Sequence, residues 1–188
     1  MMELVFFLEE PSAKAMLEGV LPRLLPDQVA VRYVVFDGKS DLEKRLPIRL
    51  RAWQNPNARF LVLRDQDIGD CRVIKARIQK LCADAGKPET LVRIACHELE
   101  SFYLGDLAAV GQAIGPKNLA RQQSKSAYRD PDRLNSAAHE LKRLAPTYQK
   151  LAGSRAIGPL MDLNANCSVS FNQLLSGIRK IIGNAALI

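Results

Sequence analysis

Phe60-Leu61-Val62-Leu63-Arg64-Asp65-Gln66-Asp67 is the stretch whose reading decides the fold: four apolar residues run without a break into two carboxylates. A short continuous apolar run of this kind marks a strand buried on both faces, as in a parallel sheet. Two further runs end the same way. Leu4-Val5-Phe6-Phe7-Leu8 leads into Glu9-Glu10, and Leu91-Val92-Arg93-Ile94-Ala95 leads towards Glu98. Open α/β sheets bind ligands beyond the carboxyl ends of their strands, so three acid-tipped ends can meet in one crevice.

Between these strands the apolar residues recur at helical spacing. Ala13, Met16, Leu17, Val20, Leu21, Leu24 and Leu25 form one stripe, opened by Pro11-Ser12 and expected to kink at Pro22. A strand over residues 29–36 closes at Asp37-Gly38, and Ser40 with Glu43 has the spacing of a capping box for a helix running towards Trp53. Asn55-Pro56-Asn57 turns into the strand at 59–64, and Ile74, Ile78, Leu81, Cys82 and Ala85 line the next helix as far as Gly86-Lys87-Pro88. A strand at 90–95 precedes a stripe of Leu99, Phe102, Tyr103, Leu107, Val110 and Ile114.

Four strand–helix alternations predict an α/β domain over residues 1–115, with a parallel sheet of about four strands flanked by helices on both faces. Residues 116–188 are expected to form a helical, basic extension packed on the same domain. Its candidate helices are 117–127, 131–144 and 171–182, and residues 153–169 carry the weakest signal.

With 188 residues, 47% of them hydrophobic, the chain is long enough to bury a core without disulfides. Cys71, Cys82, Cys96 and Cys167 have neither zinc-site pairing nor the density of a disulfide scaffold. No run approaches the roughly 20 apolar residues of a membrane span. The N-terminus lacks the pattern of a signal peptide, and a cytoplasmic location is expected. The net charge of +7 is unevenly placed, since residues 115–155 carry nine Lys/Arg against Asp130, Asp132 and Glu140. Such a segment suits a polyanion, or is an ordinary solvated face.

The acids carry the chemistry. Asp65 and Asp67, two residues apart, would point to one side of an extended chain, where they can share a cation. With only two histidines in the chain, oxygen ligands and hence Mg²⁺ or Mn²⁺ are expected. Each acid also has a structural reading, as a strand terminator or helix cap. Of Glu98 and Glu100, which lie about 200° apart if helical, Glu98 is nearer the strand end and is preferred. Glu10, Lys14, Lys39, His97 and Glu100 are secondary candidates. Lys14 sits in a first helical turn, where a cation opposes the helix dipole and can serve a bound phosphate. Gly38-Lys39-Ser40 lacks the spacing of a nucleotide-binding phosphate loop. Lys117, Arg121, Lys125 and Arg129 recur every four residues and are the candidate nucleic-acid contacts on one helix face.

This arrangement resembles the Toprim fold of topoisomerases, bacterial primases and overcoming-lysogenization-defect nucleases, in which a strand-end glutamate precedes an Asp-x-Asp. Glu9, Asp65 and Asp67 match that pattern. More closely, Leu8-Glu9-Glu10-Pro11-Ser12-Ala13-Lys14, Gly38-Lys39-Ser40-Asp41-Leu42, Leu63-Arg64-Asp65-Gln66-Asp67 and His97-Glu98-Leu99-Glu100 resemble the Toprim-related family called domain of unknown function 4276, over nearly the whole chain.

The resemblance implies a metal-dependent nuclease-like domain, often encoded beside an ATPase of the AAA or ABC type and associated with defence against phage or other foreign DNA. It implies Glu9 as acid/base or metal-binding glutamate, Asp65 and Asp67 as metal ligands, and Glu98 as an additional acid. Glu10 stands where many Toprim proteins carry glycine. The expected function is therefore phosphodiester hydrolysis on DNA, with RNA and a homo-oligomer left open. The alternatives are a non-catalytic nucleic-acid-binding or regulatory partner of an ATPase, and a small-molecule phosphohydrolase or nucleotidyl transferase.

Overall fold

The structure, a computed structural model, describes residues 2–185. Four strands, β1 (Glu3–Leu8), β2 (Ala30–Val35), β3 (Ala58–Asp65) and β4 (Leu91–Ala95), form an all-parallel sheet in the order β2-β1-β3-β4. Leu8 is in register with Val35 on one side and Leu63 on the other, and Asp65 with Ala95. The carboxyl ends of β1, β3 and β4 therefore open onto the same edge of the sheet, as the three acid-tipped runs predict.

The two-residue period of β1 divides the core. Leu4, Phe6 and Leu8 face a layer containing α1 (Pro11–Val20) and the later helices, whereas Val5 and Phe7 face α2 (Lys39–Ala52) and α3 (Cys71–Asp84). The first layer takes in Tyr128, Leu141, Tyr148 and Phe171, so the C-terminal helices share a core with the sheet.

Several local expectations are corrected. Ser40 and Glu43 make no capping box: Gly38, at φ 85°, precedes α2, and Glu43 instead accepts from Arg64 and Arg77. Pro22 does not kink a longer helix, since α1 ends at Val20 and gives way to one 3₁₀ turn, Leu21–Arg23. The stripe from Leu99 to Ile114 is broken into α4 (Glu100–Leu104) and α5 (Leu107–Ala113). The break falls where Gly105 lets Asn166 approach and Asp106 caps α5 by accepting from Ala109 N–H.

Residues 117–127 do not form one helix. A 3₁₀ segment, Leu119–Ser124, is followed by extended backbone at Lys125 and the short α6 (Ser126–Arg129). Tertiary anchoring overrides helix propensity here. The Gln123 amide accepts from Leu107 N–H and donates to the carbonyls of Leu104 and Tyr128, while Leu119 and Tyr128 are buried. After a 3₁₀ turn at Pro131–Arg133 come α7 (Ala137–Leu144), α8 (Lys150–Ile157) and α9 (Val169–Ala185). Residues 186–188 of the expected extension lie outside the described residues.

The position of α8 depends on a close approach to α1. A Cβ on Gly19 would lie 2.4 Å from the backbone nitrogen of Pro159, and one on Gly158 would lie 2.6 Å from the Met16 carbonyl. Neither neighbour is a side chain that can rotate away. Gly19→Ala is therefore expected to destabilise the fold by about 1–3 kcal/mol, as a lower urea midpoint with an unchanged m-value.

Candidate functional site

The acids sit where β1 and β3 end and the C-terminal helices close over the sheet. Glu9 follows β1, and its Oε2 accepts from the Asp65 N–H at 3.2 Å, tying the two strand ends together. Arg64, only 4% exposed, points to the opposite face. Its Nε lies 3.7 Å from Glu9 Oε2, and its guanidinium shares Glu43 with Arg77. The strand's alternation thus sends Asp65 towards the helical layer and Arg64 towards α2 and α3.

Asp65 keeps a partly open face, yet the protein around it desolvates it heavily. Burial, then the charges of Glu10, Glu9 and Glu100, hold its carboxyl well above the usual carboxylate range, and Lys150 offsets them in part. Burial likewise raises Glu9, with Asp67 and Glu10 adding to the shift and the Asp65 N–H and Arg64 opposing it. Glu100 is 1% exposed and raised by burial, against the opposing effects of Lys150 and the Tyr148 hydroxyl, which donates to its Oε1 at 2.8 Å. Its Oε2 is buried without a hydrogen-bond partner among the described residues.

Lys150, the first residue of α8, lies 2.6 Å from Glu10 Oε2. Burial alone would lower its affinity for a proton, but Glu10, Glu100 and Asp65 outweigh it and raise the pKa. Glu10 also accepts from Ser12 Oγ. Four carboxylates, Glu9, Glu10, Asp65 and Glu100, are thus balanced by Lys150 and, on the far side of Glu9, by Arg64.

The other candidates are placed differently. β3 ends at Asp65, and Asp67 adopts a left-handed conformation, φ 55°, that turns its carboxylate onto Lys39 at 2.8 Å. The extended chain that would align Asp65 with Asp67 is therefore absent, although Asp67 stays near enough to raise Glu9. Glu98 accepts from the Ala138 N–H at 2.8 Å and so serves the start of α7. The backbone is already helical at Leu99, so Glu98 and Glu100 diverge and Glu100 is the acid facing Asp65.

His97, at φ 58°, is a loop partner: its carbonyl accepts from Asp67 N–H at 2.7 Å, and its ring Nδ1 lies 3.2 Å from the Asp67 carbonyl. Lys14 pairs with Glu18 and lies over the Tyr33 ring, on the β2 side of α1. Lys117, Arg121, Lys125 and Arg129 are exposed, but the broken helix denies them a common face.

The sequence reading gives Arg64, Tyr148 and Lys150 no part in the acid site. The helix-dipole argument applied to Lys14 fits Lys150 as well, a cation at a helix N-terminus, but nothing in the sequence marks where α8 begins. No group of three or more His, Cys, Asp or Glu side chains is drawn together tightly enough to hold a metal ion among the described residues. The donor chemistry nonetheless suits a hard cation: carboxylates in excess, desolvated, with one buried oxygen unpartnered. No helix among the described residues is long and apolar enough to cross a membrane.

A four-stranded parallel sheet with helices on both faces and acids at the ends of neighbouring strands makes this an α/β protein of Toprim-like fold. The fold is similar to that of the C-terminal region of the Burkholderia pseudomallei OLD protein, with a TM-score of 0.53 and 18% identity over 95% of this chain and 98% of that one. The chain belongs to the family described as Domain of unknown function (DUF4276), whose sequence model matches residues 8–179. No match was found among curated proteins.

The raised Asp65 pKa sets a sign for stability. The folded state retains a proton that the unfolded chain releases near pH 4, so stability falls as pH rises from there towards the folded pKa. In metal-free buffer at neutral pH, Asp65→Asn is expected to raise the thermal midpoint by the equivalent of about 0.5–2 kcal/mol. The advantage should shrink towards pH ~4, measured by circular dichroism melts across pH.

Proposed function

We propose that the protein is a divalent-metal-dependent nuclease that hydrolyses phosphodiesters in DNA. The observation that carries this reading is the desolvated Asp65 among Glu9, Glu10 and Glu100, with Glu100 Oε2 buried and unpartnered. Burying that much like charge is costly unless a cation joins it.

Glu9, Asp65 and Glu100, which stand too far apart in this structure to form a metal site, would have to close on Mg²⁺ or Mn²⁺, with Glu10 and Asp67 as further oxygen donors. A bound ion supplies Lewis-acid polarisation of a phosphate oxygen and lowers the pKa of a coordinated water. The protein's own groups do the rest. Lys150, half exposed, offers its ammonium to a phosphate entering over α8. Glu9 is held in place by its Oε2 on the Asp65 N–H, which leaves Oε1 as the free oxygen donor.

The family resemblance supports an ATPase of the AAA or ABC type as partner and a role in defence against foreign DNA. A second reading, a non-catalytic regulatory partner of such an ATPase, is favoured by the Lys150–Glu10 and Lys39–Asp67 ion pairs, which already engage two of the acids.

Titration calorimetry with Mn²⁺ separates the two. Wild type is expected to bind, Asp65→Asn and Glu100→Gln to lose about tenfold or more in affinity, and Glu98→Gln to bind normally while losing about 1 kcal/mol of stability with its contact to α7. Metal-dependent cleavage of DNA should vanish in Asp65→Asn, and binding to DNA should weaken steeply with salt. Metal binding and cleavage unaffected by Asp65→Asn would sink the nuclease assignment.

A further inference from the structure

The loop joining β3 to α3 raises an aliphatic side chain into solvent beside Asp67. Ile68 is 103% exposed, as open as in an extended peptide, and Val73 on the first turn of α3 is 63% exposed. A single exposed aliphatic residue needs no explanation, but Ile68 and Val73 line one hollow and the loop that carries Ile68 is pinned. The Gln66 side-chain amide donates to the Gly69 carbonyl at 2.8 Å, Gly69 N–H donates to the Gln66 carbonyl, and Asp67 N–H donates to His97. Asp70 caps α3 by accepting from Arg72 and Val73 N–H, and Gly69 sits tightly against Ile74. These bonds fix the backbone on both sides of Ile68, whose side chain stands outward.

Cations flank the tip. Lys39 and Arg77 line the hollow of about 320 Å³ beside Ile68 but are engaged by Asp67 and Glu43. Arg72 and Lys75 have no ion-pair partner among the described residues, and with Arg93 they line a neighbouring groove of about 580 Å³ along the β4 edge. The negative groups facing this region are Asp67, paired with Lys39, Asp70, committed to its cap, Asp132, which accepts from Ser168 and Ser170, and Asp130, paired with Arg133.

We propose that this loop is a nucleic-acid wedge. Ile68 inserts against an unstacked base at the lip of the acid site, while Arg72 and Lys75 hold the phosphates of the strand passing into the β4 groove. The inference rests on the nuclease reading and gives it a substrate class, DNA with a frayed or single-stranded segment next to a duplex. Apolar side chains presented among cations serve to part base steps. Two aliphatic residues are too few for a protein docking surface, which takes roughly 800 Å² a side. The charge around them complements phosphate.

The test uses the full chain with Ca²⁺ and a duplex–single-strand junction carrying 2-aminopurine at the junction. Wild type is expected to raise the 2-aminopurine emission as the base unstacks. Ile68→Ser should abolish that rise while keeping affinity, by fluorescence anisotropy, within about threefold. Arg72→Glu/Lys75→Glu should weaken binding by about tenfold or more and flatten the salt dependence by about two phosphate contacts.

If wild type binds and cleaves DNA but Ile68→Ser brightens the probe as wild type does, or the charge reversals bind normally, the wedge falls and the nuclease reading stands. If the emission pattern holds without metal-dependent cleavage, the wedge stands and the nuclease reading falls. If wild type does not bind the junction, or Ile68→Ser disturbs only self-association or an ATPase complex, the loop is not a nucleic-acid element.

Discussion

Like charges held together out of water are the constraint on which this structure turns. Glu9, Glu10, Asp65 and Glu100 come from three separate segments, and burial first, with the neighbouring negative charges adding to it, raises the proton affinity of Asp65 and Glu9. The surrounding fold offsets that cost in specific ways: a backbone N–H on Glu9, a tyrosine hydroxyl on Glu100, a lysine on Glu10 and an arginine behind Glu9. Each donor comes from an element whose position depends on the core. The sheet therefore brings the ends of β1 and β3, with their carboxylates, to one partly desolvated edge.

The two faces of the sheet divide the work. On the α2–α3 side, Arg64, Glu43 and Arg77 form a network that fixes β3 from behind. On the other side, α8 lies against α1 through Gly19 and Gly158, and this contact brings Lys150 to Glu10 and Tyr148 to Glu100. A buried Tyr103 hydroxyl donating to Ser154 ties α8 to α4 in the same layer. Packing that looks remote from the acids thus decides which cation faces them.

The β3–α3 loop shows how backbone conformation redirects side chains. Had β3 continued through Asp67, the Asp-x-Asp would have presented two carboxylates to one side. The left-handed turns at Asp67 and His97, joined by hydrogen bonds in both directions, separate them and lift Ile68 outward. One loop therefore sets both the composition of the acid cluster and the surface beside it.

Much of the fold is legible in residue order. Continuous apolar runs at β1, β3 and β4 with helical stripes between them require parallel strands and crossovers, because buried strands lose their alternation and parallel pairing needs a long connection. Strand-end position alone marks Glu9 and Asp65 as neighbours. The choice of Glu100 over Glu98 depends on where a helix begins, a matter of one residue that propensity does not resolve. Lys150 and Tyr148 reach the site by long-range packing, through glycines whose meaning appears only when α1 and α8 touch. The basic run from Lys117 to Arg129 has helical spacing, yet Gln123, Leu119 and Tyr128 anchor it otherwise. The sequence by itself determined the sheet and the acids at its strand ends, since burial and periodicity are local properties. Only the tertiary structure decided which charges meet there, because that depends on contacts between segments far apart in the chain.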